Sequence, residues 1–525
     1  MILTHGWARP IDKLGARPTG LWSRGTVDSL SPPDMTTGLS QAPKGIKRPR
    51  LDAPGRALWR WVPAMAGWTL ACLPAAAHAQ LPSDAFLNQQ RAIEEEVRSA
   101  LDRQMPTDQK FDIDWGAWYS FYLFIWDDGI NSSRTFRRHD FRPWANISID
   151  EGAHQLYARG KLQFEDYNHG DQYGRKENDW VGMNLDRGFY QFDLRQAVKA
   201  YEKRKLDWDF SFKIGRDYVD FGTGYALSLP LDQVLLKLEV AKFEITGLMA
   251  TSVRSMDNID TTRPNSTNTK RNFWGTQVKY KGIEKHEPFV YAFWNDDQQQ
   301  ERPKDWSRNY DYDSWYVGLG SKGELLTNLR YGTEWVIEGG GSELDRWPAK
   351  KADIHAWAFD NVLEYMPNWR LQPRFIGEYM FASGDADRRY SPTDVRGGNR
   401  RGSDNSFVGF GYRDTGLSFG PRLSNVHIWR AGAACKPFEK IEALRYFETG
   451  TDWFLYAKNH SDGAVSDGTA DQHSGYLGWE MDYFVNWRIT SDLSWTARLG
   501  TFFPGEAFSD ETTRTFFLTG VTYSF

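Results

Sequence analysis

Apolar and polar residues alternate along most of this chain, in one segment after another from Phe111 onwards. Examples are IDWGAWYSFYLFIW, LDWDFSFKIGR, GYLGWEMDYFVNWRIT and LSWTARLGTFF. A period of two is typical of a β-strand that turns one face to an apolar surrounding and the other to a polar one. With RGFYQFDLRQAVKAY and SFVGFGYR included, the series predicts roughly eighteen strands, with an uncertainty of about two.

The connections between these segments alternate between short and long. TSD before Leu493 and KPFEK after Cys435 are short, whereas SMDNIDTTRPNSTNTKR, NDDQQQERPKDWSRNYD, SGDADRRYSPTDVRGGNRRGSDN and NHSDGAVSDGTADQHS are long and polar. Short turns at one end and long loops at the other are typical of outer-membrane barrels. The sequence therefore predicts an all-β fold over residues 111–525, a transmembrane antiparallel β-barrel. The sequence shows no repeat of 20–50 residues, which argues against a propeller or a solenoid.

The chain ends in one more alternating segment, FFLTGVTYSF. Phe517, Val521, Tyr523 and Phe525 share one face of this strand, and smaller or polar residues occupy much of the other. An unpaired strand of this kind would aggregate at its free edge. We therefore expect it to pair with the first strand, close the barrel and turn its aromatic face to lipid. The terminal aromatic residue resembles the signal that the outer-membrane barrel assembly machinery recognises.

Residues 1–79 have the pattern of a targeting segment. A basic stretch, KGIKRPRLDAPGRALWRW, precedes the short apolar stretch VPAMAGWTLACLPAAA. Ala77-His78-Ala79 before Gln80 fits the rule of small residues at a signal-peptide cleavage site. The residues ahead of the basic stretch show no pattern, which indicates a start site assigned too far upstream or a disordered extension.

Residues 80–110 follow a helical rather than an alternating pattern. Phe86, Ile93, Val97 and Leu101 recur at the spacing of one helix face, which predicts an amphipathic helix of about five turns in the periplasm. Such a helix would dock there, plug the pore, self-associate, or simply lie on the surface.

Composition supports a barrel. The chain contains 24 Trp, 24 Tyr and 32 Phe, yet its mean hydropathy is −0.63. A barrel explains both values, because only alternate residues face lipid and aromatic residues line both membrane interfaces. The net charge is −5, and residues 1–79 hold ten Lys or Arg against four Asp or Glu. The remaining chain is thus clearly acidic, which argues against nucleic-acid binding. Cys72 lies in the signal segment and Cys435 is single, so no disulfide is expected in the mature chain.

Strand alternation also sorts the charged residues. Arg498 shares a face with Ser494, Thr496 and Gly500, which we expect to point into the lumen. Glu480 and Asp482 lie together on one face of their strand. The face that carries Glu378 contains both charged and apolar residues, so its direction is less certain from the sequence. A lumen with both charge signs suits a hydrophilic solute. For each of these residues taken alone, an inward Arg–Glu pair that only stabilises the barrel is an equally good interpretation.

Several stretches resemble the alginate export family of outer-membrane proteins. They are RPWANI, FKIGRDYVDFGTG, EYMFASGDAD, GPRLSNVHIWRAG, EMDYFVNWRITSDLSWTARLGTFFPGEAF and the closing strand, spread from Asp112 to Phe525. The Gly-Arg strand end and the final strand–SDLS–strand–FFPGEAF segment are the most specific. The resemblance implies a monomeric barrel of roughly eighteen strands that passes an anionic exopolysaccharide through an arginine-lined constriction.

The resemblance also implies which residues line that constriction. Position by position, it assigns this role to Arg142, Arg216 and Arg498, and to Arg422, where gaps in the match leave Arg413 or Arg430 as alternatives. For Arg216, strict alternation disagrees, because it places this residue with Phe212 and Ile214 and apart from the polar face. Its inward direction therefore comes from the resemblance alone. We add Glu378, Glu480 and Asp482 as the carboxylates of the pore.

Three functions compete at this point. The leading one is passive export of a polysaccharide, alginate-like and anionic, across the outer membrane. The alternative is an uptake porin for small anions or sugars, which an open lumen without a periplasmic plug would favour. An enzyme using Glu378, Asp385, Glu480 or Asp482 as acid and base is the least favoured, because the sequence contains no GxSxG, HExxH or Cys/His cluster.

The expected partners follow from the leading function. They are outer-membrane lipid, the secreted polysaccharide, periplasmic export proteins and the barrel assembly machinery. We predict no catalytic residue, no metal site and no cofactor.

Overall fold

The structure, a computed structural model, describes residues 111–525 apart from residue 130 and the segments 173–176, 254–269, 299–311, 345–349 and 389–398. The predicted signal peptide at 1–79 and the predicted helix within 80–110 lie outside the described residues.

The described residues form a closed antiparallel barrel of 18 strands, so the predicted fold class is confirmed. Each strand pairs with its neighbours in sequence, and β1 pairs with β18 to close the sheet. The strands are Phe111–Asp127 (β1), Arg134–Ile149 (β2), His154–Tyr167 (β3), Asn178–Asp193 (β4), Asp209–Phe221 (β5), Leu227–Val240 (β6), Phe243–Ser252 (β7), Arg271–Tyr280 (β8), His286–Asp297 (β9), Tyr312–Leu326 (β10), Leu329–Glu343 (β11), Lys351–Tyr365 (β12), Arg374–Ala382 (β13), Val426–Cys435 (β14), Phe447–Lys458 (β15), Tyr476–Arg488 (β16), Leu493–Pro504 (β17) and Arg514–Ser524 (β18).

The C-terminal strand closes the barrel as predicted. β18 pairs with β1 from Trp118↔Ser524 onwards. The terminal Phe525 extends this pairing, because its N–H donates to the carbonyl of Ala117 at 2.9 Å and its carbonyl accepts the N–H of Ala117 at 2.8 Å. Gly116 permits this approach, since a Cβ there would lie 2.4 Å from the carbonyl oxygen of Phe525.

Large apolar side chains cover the outer face of the barrel. On β18, Val521, Tyr523 and Phe525 are exposed on that face, whereas Phe516 and Leu518 are buried on the inner one. A row of tryptophans crosses neighbouring strands at one level of the outer face: Trp274 lies opposite Trp294, and Trp294 opposite Trp315. Aromatic rows of this kind are typical of the membrane interface of a barrel.

Connection length follows the alternation expected for an outer-membrane barrel. The connections after even-numbered strands include two turns of only two residues, 241–242 and 327–328. The connections after odd-numbered strands lie at the other end, and the longest, residues 383–425, follows β13. By analogy with known barrels, the short-turn end is the periplasmic end.

One short-turn connection contains a helix that the alternation did not predict. RGFYQFDLRQAVKAY was interpreted as a strand, but β4 ends within it and helix α1, Leu194–Glu202, follows. Asp193 caps this helix by accepting the N–H of Gln196 at 2.9 Å. Residues 194–202 therefore belong to a periplasmic turn. None of the described helices is long and apolar enough to cross a membrane.

The connection 383–425, which we call the inward segment, folds into the lumen over its described residues, 383–388 and 399–425. SFVGFGYR, predicted as a strand, lies in it, and Phe407, Val408 and Phe410 are buried against the inner wall. Phe410 forms an isolated parallel bridge with Leu227. Its alternation thus reflects burial inside the barrel rather than a place in the sheet. Asp404 forms an ion pair with Arg388 within the same segment and accepts a hydrogen bond from Ser342 of β11 at 2.9 Å.

The pairing between β4 and β5 is short. β4 pairs with β5 only over residues 188–193, although its pairing with β3 extends to Asn178. Above this point β4 diverges from β5, and Trp180 and Met183 are exposed there. We call this place the β4–β5 fork.

Candidate functional site

Basic side chains from β2 and β3 gather on one wall of the lumen, and we call them the β2–β3 cluster. Arg142 lies on the inner face of β2 with Asp140 and is only 4% exposed. Its Nε lies 2.9 Å from Asp140 Oδ1, and its Nη1 lies 3.0 Å from Asp186 Oδ2. Arg159 Nε lies 2.6 Å from the same oxygen of Asp186. Two arginines therefore share one aspartate on this wall.

Lys161 adds a third cation to the β2–β3 cluster. It follows Arg159 on the inner face of β3 and interacts electrostatically with Arg142, Asp140 and Asp186. Three cations thus face two carboxylates at this point. Since these cations outnumber the carboxylates, the cluster carries a positive excess that an anion in the lumen can neutralise.

On the inner wall formed by β13–β17, Arg430 lies among carboxylates. Its guanidinium lies 3.2 Å from Glu378, 3.2 Å from Asp414 and 2.9 Å from Asp452. Glu378 is buried on the inner face of β13 with Met380, so the mixed face of this strand points inward.

Arg413 connects the inward segment to this wall. Its Nη2 lies 2.7 Å from Asp360, and its Nη1 donates to the carbonyl of Thr223 at 3.0 Å. Glu378 lies 3.8 Å from its Nε. Thr223 itself belongs to the connection between β5 and β6, so Arg413 ties two lumen-filling segments together.

Glu480 and Asp482, both predicted as pore carboxylates, hold the inward segment through its backbone. Glu480 accepts N–H groups of three consecutive residues, Leu417, Ser418 and Phe419, at 2.6, 2.5 and 2.8 Å. Asp482 accepts the N–H of Leu417 at 3.1 Å. Neither carboxylate lines an open passage, because both are buried under this segment.

Arg498 points inward, on the face that alternation assigns to it. It is buried with Phe502 on the inner face of β17, and its guanidinium lies over the ring of Phe484, 5.5 Å from the centroid. The carboxylates of Asp414 and Asp482 act on its charge. It therefore belongs to the same predominantly acidic wall as Arg430.

Arg216 differs from the inward direction that the resemblance implied. The pairing of β5 with β6 is regular, and Arg216 stands opposite Asp232 on the face of the exposed Ile214. Its Nε and Nη2 lie 2.7 and 3.0 Å from Asp232, and its Nη1 donates to the carbonyl of Leu185 at 2.7 Å. Strict alternation thus describes its position correctly, and its contacts bridge the β4–β5 fork on the outer side.

Gaps in the resemblance left Arg422, Arg413 and Arg430 as candidates for the fourth pore arginine. Of these, Arg413 and Arg430 lie in the charged lumen. Arg422 lies on the inward segment, where its backbone N–H donates to Ser466 Oγ at 3.0 Å. The alternatives thus fit a pore-lining position better than Arg422 does.

A further charged band, near the short-turn end, was missed by sequence reasoning. Glu244 of β7 lies 2.5 Å from Lys281 and 3.1 Å from Lys237. Glu287 of β9 lies 3.6 Å from Lys279 and 3.4 Å from Lys322. Alternation alone places three of these lysines on the inner face of their strands, and this signal was available. Among the described residues, no group of three or more His, Cys, Asp or Glu side chains is arranged to hold a metal ion.

The sequence of the barrel matches the model of a known family. That family is alginate export, and the match covers residues 129–520. The chain belongs to the alginate export family. It is therefore an outer-membrane protein, as predicted from the strand pattern. Among curated proteins, none matches the chain.

Solved structures of similar fold come from Pseudomonas aeruginosa. The outer membrane protein OpdK is 12% identical, with a TM-score of 0.50 over 79% of this chain and 98% of that one. OccK7 (OpdD) is 13% identical, with a TM-score of 0.49 over 79% and 99%. At these identities, the OpdK likeness shows an outer-membrane porin fold alone.

Proposed function

We propose that this barrel is a passive export channel for an anionic exopolysaccharide of the alginate type. The observation that carries the proposal is the β2–β3 cluster in a member of the alginate export family. Arg142 and Arg159 share Asp186 there, with Lys161 beside them. Arginine forks bind carboxylates bidentately and with charge assistance, which suits the uronate groups of such a polymer.

The arrangement of charges favours passage along one wall. Along the wall of β13–β17, Arg413, Arg430 and Arg498 lie among a larger number of carboxylates. An anion is therefore repelled there. The β2–β3 cluster offers the opposite field within the same lumen. The carboxylates next to its arginines keep binding reversible, because they compete with the carboxylate of each sugar for the guanidinium groups. The acidity of the whole chain is compatible with an anionic cargo because the positive field is local.

No bond is made or broken in this mechanism, so the channel needs neither a catalytic residue nor a cofactor. We further propose that it works as a monomer that receives the polymer from periplasmic export proteins at the short-turn end. The described part of the inward segment limits passage through the barrel when no polymer is present.

Substitution of Arg142 tests the proposal. In planar bilayers, Arg142→Glu should lower the anion-to-cation permeability ratio, because an inward cation becomes an anion. Each unit of charge about 4 Å from a passing ion changes its energy by about 1 kcal/mol in water-like surroundings, so this two-unit change corresponds to about 2 kcal/mol, or about thirtyfold in the ratio. Arg216→Glu is the matched control, since it makes the same charge reversal on the outer face.

The direction of transport needs a second experiment in cells that carry the protein. Export predicts that deletion of the gene removes uronate polymer from the medium and retains it inside the envelope. If the polymer is secreted normally and uptake of a small acid or sugar is lost instead, the chain is an uptake porin.

A further inference from the structure

The backbone of the inward segment forms a binding site for a carboxylate. Leu417, Ser418 and Phe419 present three consecutive N–H groups to one point, and the carboxylate of Glu480 occupies it. Successive N–H groups that converge in this way form a concave anion site, known as a nest. Glu480 is completely buried in it.

Gly416 gives this nest its shape. Its φ is +110°, a conformation that side-chain-bearing residues rarely adopt. A Cβ at Gly416 would lie 2.4 Å from Tyr456 Oη and 3.0 Å from the carboxylate of Glu480. Tyr456 donates to the carbonyl of Thr415 at 2.9 Å, which holds the entry of the nest in place. The site is thus built by the segment itself, and Glu480 is its occupant.

The occupant is of the same chemical kind as the proposed cargo. A uronate residue carries a carboxylate attached to a saturated carbon, as Glu480 does. Other parts of the inward segment also contact wall carboxylates, but through a single N–H group or a side chain: Val408 donates to Glu338 at 2.8 Å, and Arg413 pairs with Asp360. Residues 417–419 differ because three consecutive N–H groups converge on one carboxylate, and a free carboxylate can compete for this site.

We propose that the nest of residues 417–419 is a binding site for a carboxylate of the transported polymer, and that Glu480 fills it while no polymer is present. The identity of the ligand rests on the proposed function. When residues 417–419 leave the wall, their N–H groups become accessible, and a uronate that binds them stabilises the released state. A ligand that binds only one of two states shifts the population toward that state. The polymer thereby promotes the opening of its own path.

The accessibility of Ser418 to a thiol reagent tests this proposal. Ser418→Cys is introduced after Cys72 and Cys435, the only two cysteines, have been replaced by Ser. We expect slow modification in the folded barrel, accelerated severalfold by a uronate hexasaccharide and unchanged by the neutral maltohexaose. With Glu480→Gln added, modification should be fast without any sugar, and the hexasaccharide should add little.

Glu334→Gln is the matched control. Glu334 is also a buried lumen carboxylate, and it accepts the N–H of Thr223 at 2.5 Å in the other lumen-filling connection. It leaves the nest intact, so modification of Ser418→Cys should remain slow and responsive to the hexasaccharide. If Glu480→Gln does not fold, as judged by heat-modifiable electrophoretic mobility, the comparison of the two sugars on Ser418→Cys alone still decides.

Two outcomes would overturn the proposal. One is equal modification with and without the uronate hexasaccharide, and the other is an equally slow reaction in Glu480→Gln. These results are separable from failure of the export function, which is measured by the effect of Arg142→Glu on ion selectivity. A selectivity change without a response of Ser418→Cys leaves export standing and removes the nest from it.

Discussion

At the scale of single residues, alternation predicted the direction of side chains better than it predicted their contact partners. Arg498 points inward and Arg216 outward, as the period of two requires. The partners were not predictable, because they come from strands far apart in sequence and from the inward segment. Glu480 illustrates this: its face was evident from the sequence, but its three backbone donors lie about sixty residues away.

The sharing of Asp186 leads to a prediction at the same scale. Asp186→Asn should increase the anion-to-cation permeability ratio, since Arg142 and Arg159 lose a common counter-charge. An increase of about fivefold corresponds to about 1 kcal/mol per unit charge near the path. Reversal potentials in a salt gradient measure the ratio.

Asp166→Asn is the control for this change. Asp166 forms a comparable ion pair with Arg137, but both side chains are 37% exposed. Surface pairs of this kind have small effects, so the ratio should not change. If both variants behave alike, the shared aspartate does not control the field of the lumen.

At the scale of elements, the strands and their number followed from the sequence because each strand separates an apolar from a polar surrounding. Two elements were interpreted incorrectly: residues 194–202 form α1, and residues 406–413 lie inside the lumen. In the first, Leu194, Ala197, Val198 and Tyr201 recur at the spacing of a helix face, so the signal was available in the sequence. The second has apolar residues at alternate positions, and short apolar runs do not distinguish a strand from other buried backbone.

Closure of the barrel gives the prediction at this scale. Gly116→Ala should reduce the yield of folded barrel, because a Cβ at this position would collide with the carbonyl of Phe525. The pairing of Ala117 with Phe525 would be displaced, and the β1–β18 contact would lose about 1–3 kcal/mol. Heat-modifiable electrophoretic mobility and the unfolding midpoint in urea measure the loss.

Gly377→Ala is the corresponding control, since Gly377 also lies in a strand and a Cβ there would have no neighbour within 4 Å. This variant should fold like the wild type. Equal loss in both variants would mean that glycine itself, rather than the closing contact, determines folding.

At the scale of the whole molecule, the chain combines an acidic composition with a local positive wall. The family and the barrel were recognisable from strand pattern and motifs, and both are confirmed. The division of the lumen into a basic region and an acidic region was not predictable, because it depends on contacts between strands and an inward segment that are distant in sequence. The same holds for the inward segment, whose long polar connection resembles an external loop.

Block of single-channel current by short sugars tests most directly whether this lumen conducts an anionic polymer. A uronate hexasaccharide added at the short-turn side of the wild-type barrel should produce discrete current blockades, and maltohexaose of the same length should produce none. The blockades should become rarer in Arg142→Glu, because the cluster that attracts the carboxylates is weakened. Equal blockades by both sugars, or a cation-selective current that the uronate does not affect, would contradict the account.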